Sequence, residues 1–178
     1  MFVLTRRLML RPAWVEEADA LQAAIAHEAV VMKLSRVPWP YTAADARWWL
    51  EQPRADATPN FTIFDRTDGF CLIGGIGIDL DGRNGGPEFG YWLTPDAWGR
   101  GYATEAGRAV VATARETLRL DRLMSGHWID NPASGRVLAK LGFVPTGLVE
   151  KRPCLAQGRE IDCATFTLDL VGQARLAA

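Results

Sequence analysis

Residues 95–106 read Pro-Asp-Ala-Trp-Gly-Arg-Gly-Tyr-Ala-Thr-Glu-Ala, with two glycines, Gly99 and Gly101, on either side of Arg100. Set between a strand and a helix, such a loop turns several backbone N–H groups toward one point at a helix N-terminus. The macrodipole and the unpaired donors there suit a phosphate. Arg100 adds a cation for the same anion. A glycine-rich connection with Arg100 in solvent is the other reading of the same residues. Two common phosphate-binding patterns are excluded. A Walker A loop requires G-x-x-x-x-G-K-[ST], which the chain lacks. A dinucleotide fingerprint starting at Gly99 requires glycine where Thr104 stands, and Asp121 precedes a strand instead of ending one.

The second segment with chemical potential is Asn131-Pro132-Ala133-Ser134. Asn131 is an apt N-cap, Pro132 fits the first helical position, and Gly142 follows the last turn. Val137 or Leu138, with Leu141, form the buried stripe of that helix. Capping alone accounts for most of this segment without a ligand.

Both segments need a sheet to hold them. Residues 4–11 read as a first strand ended by Pro12, and residues 16–32 as a helix with Leu21, Ile25 and Val30 or Val31 near helical spacing. Pro38-Trp39-Pro40-Tyr41 is a rigid aromatic turn. Thr42, with Asp45 three residues on, caps a second helix carrying Trp48 and Trp49, and residues 53–59 form a polar loop. Strands follow at residues 61–64, 71–78 and 88–93. The turns Asp68-Gly69 and Asp81-Gly82 to Gly85-Gly86 make them an antiparallel meander. Residues 104–120 form a helix with Ala106, Val110, Ala114 and Leu118 on one face, residues 122–129 a strand, and residues 131–141 a helix. Residues 148–151 and 164–170 close the sheet. The order β-α-α-β-β-β-α-β-α-β-β is α+β with a mixed sheet.

Composition narrows the function. The chain has 178 residues, 48% of them apolar, and a net charge of −1 from 20 basic and 21 acidic side chains. That length suits one ordinary domain with a real core. The charge balance disfavours a nucleic-acid partner, which needs clustered basic excess. Cys71, Cys154 and Cys163 are odd in number and form no C-x-x-C, so neither a disulfide framework nor a thiolate metal site is expected. The opening residues are too short in apolar length for a signal peptide, and no run approaches a membrane span. A soluble cytoplasmic protein with no metal, no membrane contact and no internal repeat is the expectation.

The run Trp98-Gly99-Arg100-Gly101-Tyr102-Ala103-Thr104-Glu105-Ala106, followed by Asn131-Pro132-Ala133-Ser134 and Leu138-Ala139-Lys140-Leu141-Gly142-Phe143, resembles the GNAT acetyltransferase superfamily. Within it the chain most resembles the RimJ/RimL-like branch of ribosomal-protein N-terminal acetyltransferases. Residues 4–12, Gly90-Tyr91-Trp92, and Gly158-Arg159 with Asp162 share that likeness. The resemblance spans essentially the whole chain and implies one GNAT domain over residues 1–178. It further implies a mixed, mostly antiparallel central sheet flanked by helices. Acetyl-CoA is then the co-substrate, its pyrophosphate held by Gly99, Arg100, Gly101, Tyr102, Ala103 and Thr104. The superfamily often places Gln or Arg where Trp98 stands.

The resemblance also implies how acetyl transfer works. The strand before the loop diverges from the strand after the next helix, and the acetyl group sits in that gap. Strand amides of Tyr91, Trp92 and Leu93 stabilise the tetrahedral intermediate as oxyanion donors. Asn131 and Ser134 face the pantetheine arm and the thiol, where a helix N-terminus favours a thiolate. Glu88 is the first candidate base, or a solvated carboxylate after a turn. His127, across the gap, is the second, or a histidine bonded within the sheet. Relatives often carry a tyrosine acid after the second helix, but Phe143-Val144-Pro145 offers none, which leaves Ser134 or water. Trp39 and Tyr41, with Glu88, border the acceptor cleft. Trp48 and Trp49 are expected in the core, with pocket lining as the alternative. Glu16, Glu17 and Asp19 either meet a cationic acceptor or complement the helix dipole. The acceptor is a primary amine, a protein N-terminal α-amine or a small molecule, and a homodimer is compatible with this reading. The alternative is a CoA-binding sensor or inactive paralogue.

Overall fold

The computed structural model describes residues 1–53, 58–80, 82 and 86–171. Eight strands form one sheet in these residues, in the order β1-β2-β3-β4-β5-β6-β8-β7. The strands are β1 (Val3–Leu4), β2 (Leu8–Arg11), β3 (Asn60–Asp65), β4 (Cys71–Asp79), β5 (Glu88–Leu93), β6 (Arg122–Trp128), β7 (Val144–Cys154) and β8 (Arg159–Asp169). Neighbours are antiparallel except β5 and β6, which run parallel. The helices are α1 (Ala18–Ile25), α2 (Glu28–Val31), α3 (Ala43–Glu51), α4 (Tyr102–Glu116) and α5 (Pro132–Lys140). The expected α+β class and mostly antiparallel sheet are present. No helix of the described residues is long and apolar enough to cross a membrane.

Two apolar clusters cover the two faces of the sheet. Leu8, Leu10, Ile63, Ile78, Phe89 and Leu123 pack with α4 residues such as Ala106, Val110 and Ala114 and with Leu138 of α5. On the other face α1, α2 and α3 bury Leu21, Ile25, Val31, Ala46 and Leu50 around Tyr41, with Trp92 against them. Gly107 brings α4 close to the end of α5, because a Cβ there would lie 2.6 Å from Leu141 Cδ1.

Several elements differ from the sequence reading. The first strand is a hairpin, since Thr5 N–H bonds Leu8 O and pairs Val3 with Leu10. The helix expected over residues 16–32 breaks at Ala26 and His27. Carried on unbroken, the stripe of Leu21 and Ile25 would bury Glu28. The break leaves Glu28 exposed and turns Val30 and Val31 inward. α4 starts two residues early, at Tyr102, and ends at Glu116. β7 and β8 each run 11 residues, well beyond their expected lengths. Pro145 and Pro153 mask β7 in the sequence, yet β7 is an edge strand and shifts register between Pro145 and Val149, where proline is tolerated. Trp48, expected in the core, is 62% exposed, because Ala46 and Leu50 define the buried stripe of α3 and Trp48 faces away. The Thr42 cap is as read: its Oγ1 accepts from Asp45 N–H, and Asp45 Oδ2 accepts from Thr42 N–H at 2.8 Å. Asp81 and Gly85 of the expected turn before β5 lie outside the described residues, as does the middle of the loop at 53–59.

Candidate active site

β5 and β6 pair at only one position, Glu88 with Met124. Met124 N–H reaches Pro87 O at 2.8 Å and Ser125 Oγ donates to Phe89 O at 2.9 Å, and beyond these bonds the strands part. Residues 91–93 and 126–128 therefore border an opening in an otherwise continuous sheet. The ladder decides which β5 groups face it. Thr94 N–H bonds Ile73 O, so the residues bonded to β4 are 94, 92, 90 and 88. Trp92 thus spends its N–H on Gly75, while the amides of Tyr91 and Leu93 face the opening. Leu93 O already accepts from Trp98 Nε1 at 2.9 Å, which folds Trp98 back against the end of β5.

The loop from β5 to α4 has both glycines left-handed, Gly99 at φ 72° and Gly101 at φ 79°. The first backbone bond of α4 runs from Glu105 N–H to Gly101 O, 3.0 Å. Among the described residues no protein acceptor takes the amides of residues 99–104. The loop is anchored from below and beside. Tyr102, 1% exposed, donates to Asp65 Oδ2 at 2.5 Å, so its side chain belongs to the core and only its amide is left for a ligand. Burial pushes the Asp65 carboxyl up, but hydrogen bonds from Thr67 and Tyr102 outweigh this and hold it below the usual range. Arg7 Nη1 donates to Arg100 O at 2.9 Å, and Glu105 accepts from Thr5 Oγ1, Arg7 N–H and Arg7 Nε. Arg100 lies over the Tyr102 ring, 4.8 Å from its centroid, and 3.9 Å from Asp65.

Next to this loop is a cleft of ≈ 630 Å³ lined by Arg6, Arg7, Gly101, Thr104, Glu105, Arg108 and Lys140. Four cations against one carboxylate, Glu105, which is paired with Arg7, give the cleft a net positive charge. Sequence reasoning missed Arg6, Arg108 and Lys140, which come from the first hairpin, the second turn of α4 and the end of α5. The four-residue step from Thr104 to Arg108 was the one visible sign, since it places both on one helix face.

At α5, Asn131 caps as expected, its Oδ1 accepting from Ser134 N–H at 3.4 Å. The Ser134 hydroxyl meets Tyr91, whose phenol lies 3.0 Å away on the far side of the opening. Burial pushes the Tyr91 phenol up, against the opposing effect of the Ser134 bond.

The two candidate bases sit on opposite faces of the sheet. His127 is three residues beyond Met124, the partner of Glu88, and strand side chains alternate. The His127 ring packs against α5, where a Cβ on Gly135 would lie 2.6 Å from Nε2, and its Nδ1 is 2.8 Å from Trp128 O. A carbonyl only accepts, so Nδ1 carries a hydrogen and donates it to Trp128 O. Glu88 faces the α1–α3 side, where its Oε1 accepts from Arg152, which also bonds Glu150 at 3.2 Å. Burial pulls the Arg152 guanidinium down, but Glu88 outweighs it and the net direction is up. Gly90, between Glu88 and Trp92 on that face, has open space where a Cβ would stand.

Of the acceptor-side residues, Trp39 is exposed and Tyr41 is 8% exposed within the α1–α3 core. Burial, with Asp45 adding, pushes the Tyr41 phenol up to about 12. Glu17 is tied to Arg11 and to Trp14 N–H, so it fastens the start of α1 to β2.

The sequence pattern of the family described as acetyltransferase (GNAT) domain matches residues 7–144. The uncharacterized N-acetyltransferase p20 of Bacillus licheniformis is 30% identical over 169 residues, which span 92% of this chain and 93% of that protein. Among solved structures, a GNAT-family acetyltransferase from Bacillus anthracis superposes with TM-score 0.81 at 20% identity, covering 96% of this chain and 99% of that one. The microcin C7 self-immunity acetyltransferase MccE, solved with acetyl-CoA and AMP, gives TM-score 0.77 at 19% identity, covering 93% of each chain. A ribosomal-protein-S5-alanine acetyltransferase from Vibrio fischeri gives 0.78 at 18% identity, with 95% and 96% covered.

Proposed function

This chain belongs to the GNAT acetyltransferase family, and from that premise we propose that it moves the acetyl group of acetyl-CoA to the neutral form of a primary amine. The observation that carries the reading is the parting of β5 from β6 beside a loop whose amides, residues 99–104, have no protein acceptor among the described residues. The family supplies the donor, and MccE, of the same fold, was solved with acetyl-CoA.

In this reading the amides of residues 99–104 hold the pyrophosphate, and Arg6, Arg108 and Lys140 in the adjoining cleft neutralise the remaining phosphate charge. Asn131 and Ser134 border the pantetheine arm. The Tyr91 and Leu93 amides, which face the opening, donate to the carbonyl oxygen as negative charge develops on it. Trp92 contributes its side chain to the acceptor face instead. Trp39 borders the acceptor's entry, with Tyr41 shaping the core behind it.

Glu88 is the base on the acceptor side, above the open position at Gly90. Arg152 holds its carboxylate in place through an ion pair. His127, on the α5 face, serves the thiol side of the opening and does not act together with Glu88 on one amine. A carboxylate is a modest base beside an amine, which favours an acceptor already partly neutral. An α-amine has a pKa of roughly 7.7–8.0 and a lysine amine about 10.4. A protein N-terminal α-amine or a weakly basic small amine therefore fits better than lysine. The RimJ/RimL-like likeness points to the protein N-terminus.

The test is thiol release on mixing the protein and acetyl-CoA with Ala- and Ser-starting peptides, lysine peptides and small amines. Turnover on the N-terminal peptides is expected. Turnover on small amines alone would move the acceptor to that class, and CoA binding with no turnover on any amine would make the chain a CoA-binding sensor.

A further inference from the structure

We infer that Tyr91 is a positioning residue that aims the Ser134 hydroxyl at the leaving sulfur. The inference rests on the acetyl transfer proposed above and deepens it. Tyr91 and Ser134 lie on opposite sides of the opening, Tyr91 on β5 and Ser134 in the first turn of α5, and their oxygens are 3.0 Å apart. A phenol is a far stronger acid than an alkyl alcohol, so Tyr91 donates and Ser134 Oγ accepts. Ser134 has one hydroxyl hydrogen, and with Tyr91 donating to its oxygen that hydrogen points away from the phenol. Among the described residues no protein group accepts it. Tyr91 is held in turn: its ring packs against Phe89 at 6.1 Å between centroids, and burial keeps the phenol protonated at neutral pH. The phenol thus keeps the Ser134 hydrogen off its own side and leaves it free to donate into the opening.

That hydrogen meets the thioester sulfur at the N-terminus of α5. As the C–S bond breaks, its electron pair goes to sulfur, and the Ser134 O–H together with the dipole of α5 stabilises the thiolate. Neither hydroxyl gives up its proton. The proton that finally neutralises the sulfur is the one Glu88 takes from the acetylated amine, passed on through water. The same side chain thus takes the place of the missing tyrosine after α5, acting from the opposite strand and through an intermediary.

Four proteins test this: the unmodified chain, Tyr91→Phe, Ser134→Ala and the double variant. Tyr91→Phe is expected to lower kcat about five- to tenfold, the effect of one hydrogen bond, with CoA affinity by calorimetry within about twofold. In the Ser134→Ala background, Tyr91→Phe is expected to cost nothing further. A merely structural role would subtract equally in both backgrounds, and that result, or unchanged kcat in Tyr91→Phe, overturns the inference. A second readout needs no turnover: the thiol of bound CoA, titrated by thiolate absorbance, is expected to ionise at lower pH in the unmodified chain than in either single variant. Equal titration in all three overturns the inference even if acetyl transfer is found. The expected difference without acetyl transfer would keep the Tyr91–Ser134 pair and remove the transferase reading, and absence of CoA binding would remove both.

Discussion

Glu88 accepts a hydrogen bond from Arg152, which reaches it from the edge strand β7 across the faces of β8 and β6. On its way Arg152 passes Gly126 of β6, where a Cβ would make only an ordinary 3.7 Å contact with Arg152 Nη1 but would lie 2.7 Å from Cys163 Sγ, so the glycine makes room for the Cys163 side chain. The side chains of Arg152 and Glu88 are only 9% and 19% exposed. Removing the guanidinium leaves a largely buried carboxylate without its cation, at a cost on the order of 3 kcal/mol. Arg152→Met is therefore expected to lower unfolding stability by about that amount, as read from denaturant titration. A stability change below about 1 kcal/mol would mean that water replaces the lost pairing at Glu88 and that the ion pair contributes little.

Glu88→Gln keeps the hydrogen bond to Arg152 and removes the charge. Since loss of a general base typically costs about 10²–10⁴-fold, kcat is expected to fall by about 10²-fold while CoA affinity stays within about twofold. Turnover measured by thiol release, beside calorimetric CoA binding, separates the two effects. A normal rate would take Glu88 out of the mechanism and leave His127 or water as the base.

Gly99 and Gly101 are needed for conformation more than for space. Nothing lies within 4 Å of a Cβ on Gly99, and a Cβ on Gly101 meets only Arg7 Nη2 at 3.6 Å, an ordinary contact. Both hold positive φ, where an L side chain costs roughly 1–2 kcal/mol. Gly101→Ala is expected to lose that much stability and about tenfold in CoA affinity as the amides shift. Gly101→Glu, which adds a negative charge beside the diphosphate, is expected to abolish CoA binding. Unchanged calorimetric affinity in Gly101→Glu would place the diphosphate elsewhere.

The loop and the α5 cap were legible in the sequence because they are local. Two glycines around an arginine, and Asn-Pro three residues before a serine, carry their geometry within a few positions. The strands of the meander were legible for the same reason. What escaped was non-local. The pairing of Arg152 with Glu88 joins positions on strands separated by two others, and no spacing rule links them. The cations at Arg6, Arg108 and Lys140 come from three elements, so their convergence is a property of the sheet order. Tyr91 was read for its amide alone, because only the approach of α5 to β5 reveals that its phenol meets Ser134. Trp48 went to the surface because two small or branched neighbours on α3, Ala46 and Leu50, already fill the core stripe.

The cation cleft predicts a salt dependence. Arg108 and Lys140 are exposed and line the cleft beside Gly101 and Thr104. Contacts between exposed side chains and a phosphate are screened over a Debye length of about 8–10 Å at physiological salt. Arg108→Glu combined with Lys140→Glu is expected to weaken CoA binding by about tenfold or more at low salt and to flatten its dependence on salt. Calorimetry from about 20 to 300 mM sodium chloride reads both quantities. A double variant with the parent's slope would show that the phosphates avoid this cleft.

Glu105 couples the loop to the first hairpin, and its titration gives this coupling a pH signature. Its carboxylate accepts from Thr5 Oγ1 at 2.6 Å, Arg7 N–H at 2.8 Å and Arg7 Nε at 2.7 Å. Burial pushes the carboxyl up, but these bonds outweigh it and hold the folded-state pKa below the ordinary 4.5. A carboxyl that ionises more readily folded than unfolded stabilises the fold fully above pH 4.5, and this contribution is lost as pH falls through the depressed folded value. Glu105→Gln is expected to melt lower than the parent at pH 7, by about 2 kcal/mol in unfolding free energy, since charge-assisted bonds are replaced by neutral ones. Between pH 5 and 3 the two melting curves should converge, the parent losing stability faster. Asp65 also sits below its usual range, so both proteins fall with acid and the difference between them isolates Glu105. A gap in Tm that stays constant from pH 7 to pH 3 would show that shape at Glu105, and not its charge, fastens the loop to Arg7.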